Sequence, residues 1–161
     1  MKKFELTTNT KMFLGKKLFQ IKALISFGDV EAGELGGYIE KEENLSQAGN
    51  AWVADDARVT DDARVTGNAR VTGNARVTGN AWVADDACYT TIKGFGREYR
   101  TTTFFRCKDG KVRVQCGCFY GDLEEFRAIV KETHGKSKKA IEYLMIADLM
   151  ELHFEENEND K

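Results

Sequence analysis

The chain has 161 residues, 42% of them hydrophobic and 31% charged, with a formal net charge of −2. That composition suits one folded domain or two small ones rather than a disordered chain, and it excludes a global field that would draw nucleic acid or an anionic membrane. No apolar run approaches the ~20 residues of a membrane-spanning helix, and the basic start Met1-Lys2-Lys3-Phe4 lacks the apolar core of a secretory signal. The four cysteines are therefore expected as reduced thiols in a cytoplasm, without contact with a membrane. Residues 1–38 are read as an N-terminal β cap. Leu18, Phe19, Ile21, Ala23 and Leu24 form a mixed apolar strand, Gly15-Lys16 a turn before it, and Gly28-Asp29 and Gly33 through Gly37 loops.

Residues 39–89 are dominated by a six-residue repeat. Six units begin at Ala51, Ala57, Ala63, Ala69, Ala75 and Ala81, and the middle ones read Ala-Arg-Val-Thr-Gly-Asn. Ala and Val are two apart, so in a strand both point to one face and the residue between them points out. The Gly/Asp then Asn/Asp pair tolerates left-handed backbone and supplies a bend. A strand this short is stable only when stacked on its equivalents. Ile39, Leu45 and Ala51, six apart, with Gly49-Asn50 as a turn pair, extend the pattern upstream.

Val53 to Ala57, and each Val-to-Ala step of four down to Val83–Ala87, resemble the hexapeptide-repeat family. That resemblance implies a left-handed parallel β-helix with three units, 18 residues, per coil. The family's frequent Gly directly after the aliphatic residue is Thr or Ala here. The leader, notably Leu35-Gly36-Gly37-Tyr38-Ile39-Glu40 and Asn44-Leu45-Ser46, resembles hexapeptide-repeat proteins encoded by bacteriophages and prophages. It implies the cytoplasm of a bacterial host and an accessory role that could include counter-defence.

Residues 90–161 are read as an α+β domain. Tyr99 to Cys107 and Lys111 to Cys118 flank Asp109-Gly110, a hairpin signal. With a tight turn there, Cys107 would face Val112, Phe105, Cys107, Val112, Val114 and Cys116 would share an apolar face, and Arg106 and Arg113 would pair on the other. A helix from about Leu123 to Thr133 is capped by Asp122 and Glu125 and ended by Gly135. A second runs from about Lys138 to Phe154 behind Ser137, and the acidic tail Glu155 to Lys161 is expected to fray. The fold class is thus mainly β with a C-terminal α+β part: a left-handed parallel β-helix of two to three coils, then a β-hairpin and two helices.

The outward column carries the first candidate site. At an offset of 18, Trp52 lies against Arg70, Arg64 against Trp82, and Arg58 against Arg76. The first two would be Arg-on-indole stacks; the third sets like charges together, a cost unless an anion lies between them. Exposed Trp and Arg are typical of interaction hot spots, although a solvated face or a trimer interface would hold the same residues. Residues 88–121 carry Lys93, Arg97, Arg100, Arg106, Lys108, Lys111 and Arg113 against Glu98 and Asp109, and Arg106 and Arg113 beside Phe104 suit a phosphate-bearing ligand. The last helix has two apolar stripes, Ile141-Met145-Leu149-Leu152 and Tyr143-Ile146-Met150-Phe154, and a helix on the outside of a monomer needs one. Tyr143, Ile146, Met150 and Phe154 are taken as the interface of a homodimer or homotrimer.

Many hexapeptide-repeat proteins are acyltransferases with a histidine base beside the coil. The two histidines here, His134 and His153, lie outside the repeats, so no catalytic residue, metal site or cofactor is assigned. Cys116-Gly117-Cys118 lacks the spacing of common zinc sites. The expected function is non-enzymatic binding of a host protein or an anionic, nucleotide-like ligand, with nucleic acid admitted as a partner. A hexapeptide-type acyltransferase and a structural homo-oligomer are the alternatives.

Overall fold

The structure is a computed structural model and describes residues 1–155; most of the acidic tail, 156–161, lies outside the described residues. Strands β1 (Phe4–Phe13) and β2 (Lys16–Ala23) form a hairpin, and β3 (Leu35–Ile39) adds to β2 in antiparallel sense. Six two-residue strands follow, one per repeat unit: β4 (Trp52–Val53), β5 (Arg58–Val59), β6 (Arg64–Val65), β7 (Arg70–Val71), β8 (Arg76–Val77) and β9 (Trp82–Val83). They pair in parallel at the 18-residue offset, Val53 beside Val71, Val59 beside Val77 and Val65 beside Val83. Upstream the offset is 20, with Ile39 beside Val59 and a bridge from Leu45 to Val65.

The repeat's chemistry explains these ladders. Every repeat Val, and every Ala that begins a unit, is buried in one apolar cluster enclosed by the three ladders. Amides and carbonyls bond from level to level, as in Trp52 N to Ala69 O at 3.0 Å and Arg58 N to Ala75 O at 2.9 Å. Each bend needs left-handed backbone, and Asp55, Asp61, Gly67, Gly73 and Gly79 all have φ between 55° and 64°. The two aspartates offset that strain with side-chain bonds to the next level, Asp55 accepting from Gly73 N at 3.0 Å and Asp61 from Gly79 N at 3.1 Å. At Gly67 a Cβ would run into the carbonyl oxygen of Ala84, so only glycine fits. The pattern stops at Asp85, which is extended and accepts from Ala87 N at 2.8 Å, starting a 3-10 turn over Asp86–Cys88.

The C-terminal part is a four-stranded antiparallel sheet, β10 (Tyr89–Lys93), β11 (Thr101–Arg106), β12 (Val112–Cys116) and β13 (Phe119–Asp122), with α1 (Leu123–His134) and α2 (Lys138–His153) on one face. Asp122 and Glu125 form a capping box on α1, and Ser137 caps α2. The other face closes the ladders. Thr103 Oγ1 accepts from Arg76 N at 2.9 Å, Thr78 Oγ1 donates to Gln115 at 3.1 Å, and Tyr89 bonds the β7 backbone. The Thr103 and Tyr89 contacts occupy backbone that would otherwise be a free sheet edge.

Several expectations are corrected. The chain is not a left-handed parallel β-helix of two to three coils behind a separate cap. The described residues form thirteen strands in four small sheets. β3 joins β5 and β8, so the N-terminal hairpin and one ladder make a single mixed sheet. The expected hairpin is the central pair of four strands, because Tyr89–Lys93 and Phe119–Asp122 also pair. Its register is one residue off: Arg106 faces Val112 and Phe105 faces Arg113. An odd-length loop, closed by Cys107 N to Lys111 O at 2.9 Å, replaces the tight turn, and a one-residue slip exchanges the faces. Phe104 and Val114 therefore meet the helices, while Phe105 and Cys107 join the ladder interior. Among the described residues no helix is long and apolar enough to cross a membrane.

Candidate anion-binding cleft

The Arg58–Arg76 column is the part of the expected site that the structure builds into a cleft. Both guanidinium groups lie on the ring of Phe13, 4.6 and 4.7 Å from its centroid. Phe13 ends β1 and is held in a small cluster with Leu18 and Tyr38, so the hairpin supplies an aromatic floor that eases the like-charge stack. Arg100 and Lys93, from the loop and strand ahead of β11, close the other side of a cleft of about 230 Å³. Asp56 is the one carboxylate in its lining, and it faces Lys11 at 3.5 Å. Arg100 is paired with Glu98. Among the described residues neither Arg58 nor Arg76 has a carboxylate partner. Burial, then the charges of Arg58 and Arg100, push the Arg76 guanidinium below its ordinary value. An anion placed here would be met by Arg58 and Arg76, whose charge is poorly neutralised, and would relieve the repulsion between them.

The remaining candidates are placed differently. Trp52 is not on the outside: it is 1% exposed, lies edge-on to Phe27 at 5.4 Å, and its indole N–H has no partner. The loop at Phe27 and Val30 covers the column at this level, so the Trp52–Arg70 stack is absent and Arg70 pairs with Asp29 instead. Arg64 and the half-exposed Trp82 do remain outside, on a separate hollow with Lys41 and Lys108, and Trp82 Nε1 donates to Thr66 at 3.3 Å. Arg106 and Arg113 are not a pair, since their register places them on opposite faces. Arg106 donates to the carbonyl of Phe154 at 2.7 Å, tying down the end of α2, and Arg113 grips Asp109 with two bonds of 2.9 and 2.8 Å. That grip pulls the Asp109 carboxyl well below the usual carboxylate range.

The interface assignment on α2 is reversed. Tyr143, Ile146, Met150 and Phe154 are buried against the sheet and α1 within the chain. The outward stripe is Ile141, Met145, Leu149 and Leu152, exposed by 55, 66, 53 and 66%. His134 stacks on Tyr143 and His153 lies edge-on to Phe154, and neither lines the cleft. Among the described residues no three His, Cys, Asp or Glu side chains are grouped to hold a metal ion. Lys93 and Arg100, which line the cleft, and Phe13, which backs its two arginines, had not been singled out. The two cations were visible as part of a basic stretch, whereas nothing in the sequence pointed to Phe13. No protein-family model matches the chain, and no curated protein matches it.

Proposed function

We propose that this chain is a non-enzymatic binding protein of the phage accessory type, acting in a bacterial cytoplasm. Its Arg58–Arg76 column takes an anionic group such as a phosphate, with a counter-defence role following if the ligand belongs to the host. The observation that carries this reading is two stacked guanidinium groups on one aromatic ring, without a carboxylate ion-pair partner among the described residues, with Lys93 and Arg100 converging on the same cleft. Hydrogen bonds to charged groups are worth roughly 1.5–3 kcal/mol each. Replacing both arginines by glutamine should therefore weaken binding by at least about a hundredfold. Calorimetric titration with inorganic phosphate and pyrophosphate tests this. One saturable site, weaker in higher salt and lost in the double variant, is expected; no saturable binding of either ion by the unaltered protein refutes it.

The α2 stripe favours a second reading, a homodimer. The helix begins with Lys138 and Lys139 and is followed by Glu155. An antiparallel pairing of two copies would cover the four exposed aliphatic residues and set Lys138 against Glu155 of the partner subunit. Light scattering of the pure protein, with Met145→Glu as the disrupting variant, decides it.

A further inference from the structure

The C-terminal sheet and its helices border a second, half-open hollow, on the face away from the ladders. Its volume is about 560 Å³, and Phe95, Phe119, Phe126, Ile129, Val130 and Tyr143 supply its apolar wall. The hollow is open to solvent on one side, and most of its lining surface is apolar. It lies within the range of small-molecule sites. Two glycines let the surrounding backbone and side chains approach. Gly96 is buried with φ of 79°, and a Cβ there would strike the Tyr143 hydroxyl; a Cβ on Gly117 would strike the Arg100 guanidinium. The loop bearing Gly96 thus lies directly on Tyr143, and Arg100 lies across Gly117. Polar groups are few and placed. His134 stacks on Tyr143 with ring centroids 5.9 Å apart. Thr102 Oγ1 and Cys116 Sγ bond at 3.3 Å beside Tyr143. Arg97 and Arg100 stand at the rim with Glu98, and among the described residues Arg97 has no carboxylate partner.

We propose that this hollow is a binding site for a small organic anion, with an aromatic body in the apolar interior and its carboxylate, sulfonate or phosphate against Arg97 and Arg100. The wall dictates the body, because aromatic edges and aliphatic groups offer it almost no hydrogen bonds. The rim dictates the charge, since two guanidinium groups share a single carboxylate. Thr133 on α1 lines the hollow and is exposed, so it marks the side on which the hollow meets solvent. The site stands apart from the Arg58–Arg76 cleft, although Arg100 borders both.

The test is a fluorescence titration of the full chain with 8-anilinonaphthalene-1-sulfonate, beside neutral 1-naphthol. Near-ultraviolet circular dichroism confirms native packing of each variant. One saturable sulfonate site is expected, weakened at least about tenfold by Thr133→Trp, which plugs the mouth from an exposed position. Ile129→Trp fills the interior and should do the same. Arg97→Gln should weaken the sulfonate about tenfold and leave naphthol unchanged. Paired replacement of Arg58 and Arg76 should leave dye binding intact, so failure of the phosphate cleft and failure of this site are read separately. Absence of saturable binding, or binding indifferent to both tryptophan variants, overturns the proposal. Loss of naphthol and sulfonate alike in Arg97→Gln overturns the assignment of the anion.

Discussion

Asn44 links the N-terminal segment to the repeat, and its removal should be costly. It is fully buried, and its amide makes four hydrogen bonds. Oδ1 accepts from Glu40 N at 3.1 Å and Lys41 N at 2.9 Å, and Nδ2 donates to Asp61 O at 3.1 Å and Ala63 O at 2.9 Å. Asn44→Ala deletes all four. Glu40 N keeps a bond to Val59 O at 3.1 Å, but Lys41 N and the two carbonyls lose this partner. At roughly 1 kcal/mol per bond the loss is about 3–4 kcal/mol, a large share of the 5–15 kcal/mol that typically separates folded from unfolded domains. Urea unfolding followed by circular dichroism should show a lower midpoint at unchanged slope. Thermal unfolding should fall by about 6–15 °C for a chain of this size. Asn44→Asp keeps the acceptor but sets a carboxylate oxygen against two carbonyls, so it should be no better at pH 7. A cost below about 1 kcal/mol for Asn44→Ala would refute the claim that this amide joins the two parts.

The Lys3 ammonium is enclosed under Phe27 and donates to Ala51 O at 2.7 Å, and burial pushes its pKa down to about 8 from an ordinary 10.5. Between pH 8 and 10.5 the unfolded chain holds a proton that the folded chain has released, so stability should rise through that window. Lys3→Met should abolish that rise in pH-dependent urea titrations. Trp52→Phe removes a buried N–H that has no partner; relief of that group offsets the lost volume, and the net change should stay within about 1.5 kcal/mol, against about 3–5 for Trp52→Ala, by the same urea assay.

What the sequence made legible was local. The six-residue period follows from the spacing of Ala and Val, the offset of 18 was what the resemblance to hexapeptide-repeat proteins implied, and Asp122, Glu125, Ser137 and Gly135 mark both helices because caps act within one turn. What it withheld came from contacts far apart along the chain. Alternation puts Trp52 outside, yet Phe27 arrives from 25 positions upstream to cover it. Arg58 over Arg76 was readable, but the ring of Phe13 beneath them was not, since nothing in a lone Phe at a strand's end names its partner. The two stripes of α2 were both visible; which one turns inward depends on the face that the sheet offers. The hairpin slipped because loop length, rather than the presence of Asp-Gly, sets register.

Three tandem units, at Ala63, Ala69 and Ala75, are identical in sequence, the kind of tract that copying errors lengthen or shorten. Loss of a single hexad would advance every later strand by one ladder and carry Thr103 and Gln115 away from the Arg76 amide in β8 and the Thr78 hydroxyl just after it. Removal of eighteen residues would return the chain to the same ladder one level lower. Viable length variants of this protein should therefore differ in steps of three hexads, so the architecture acts as a filter on how the gene can drift.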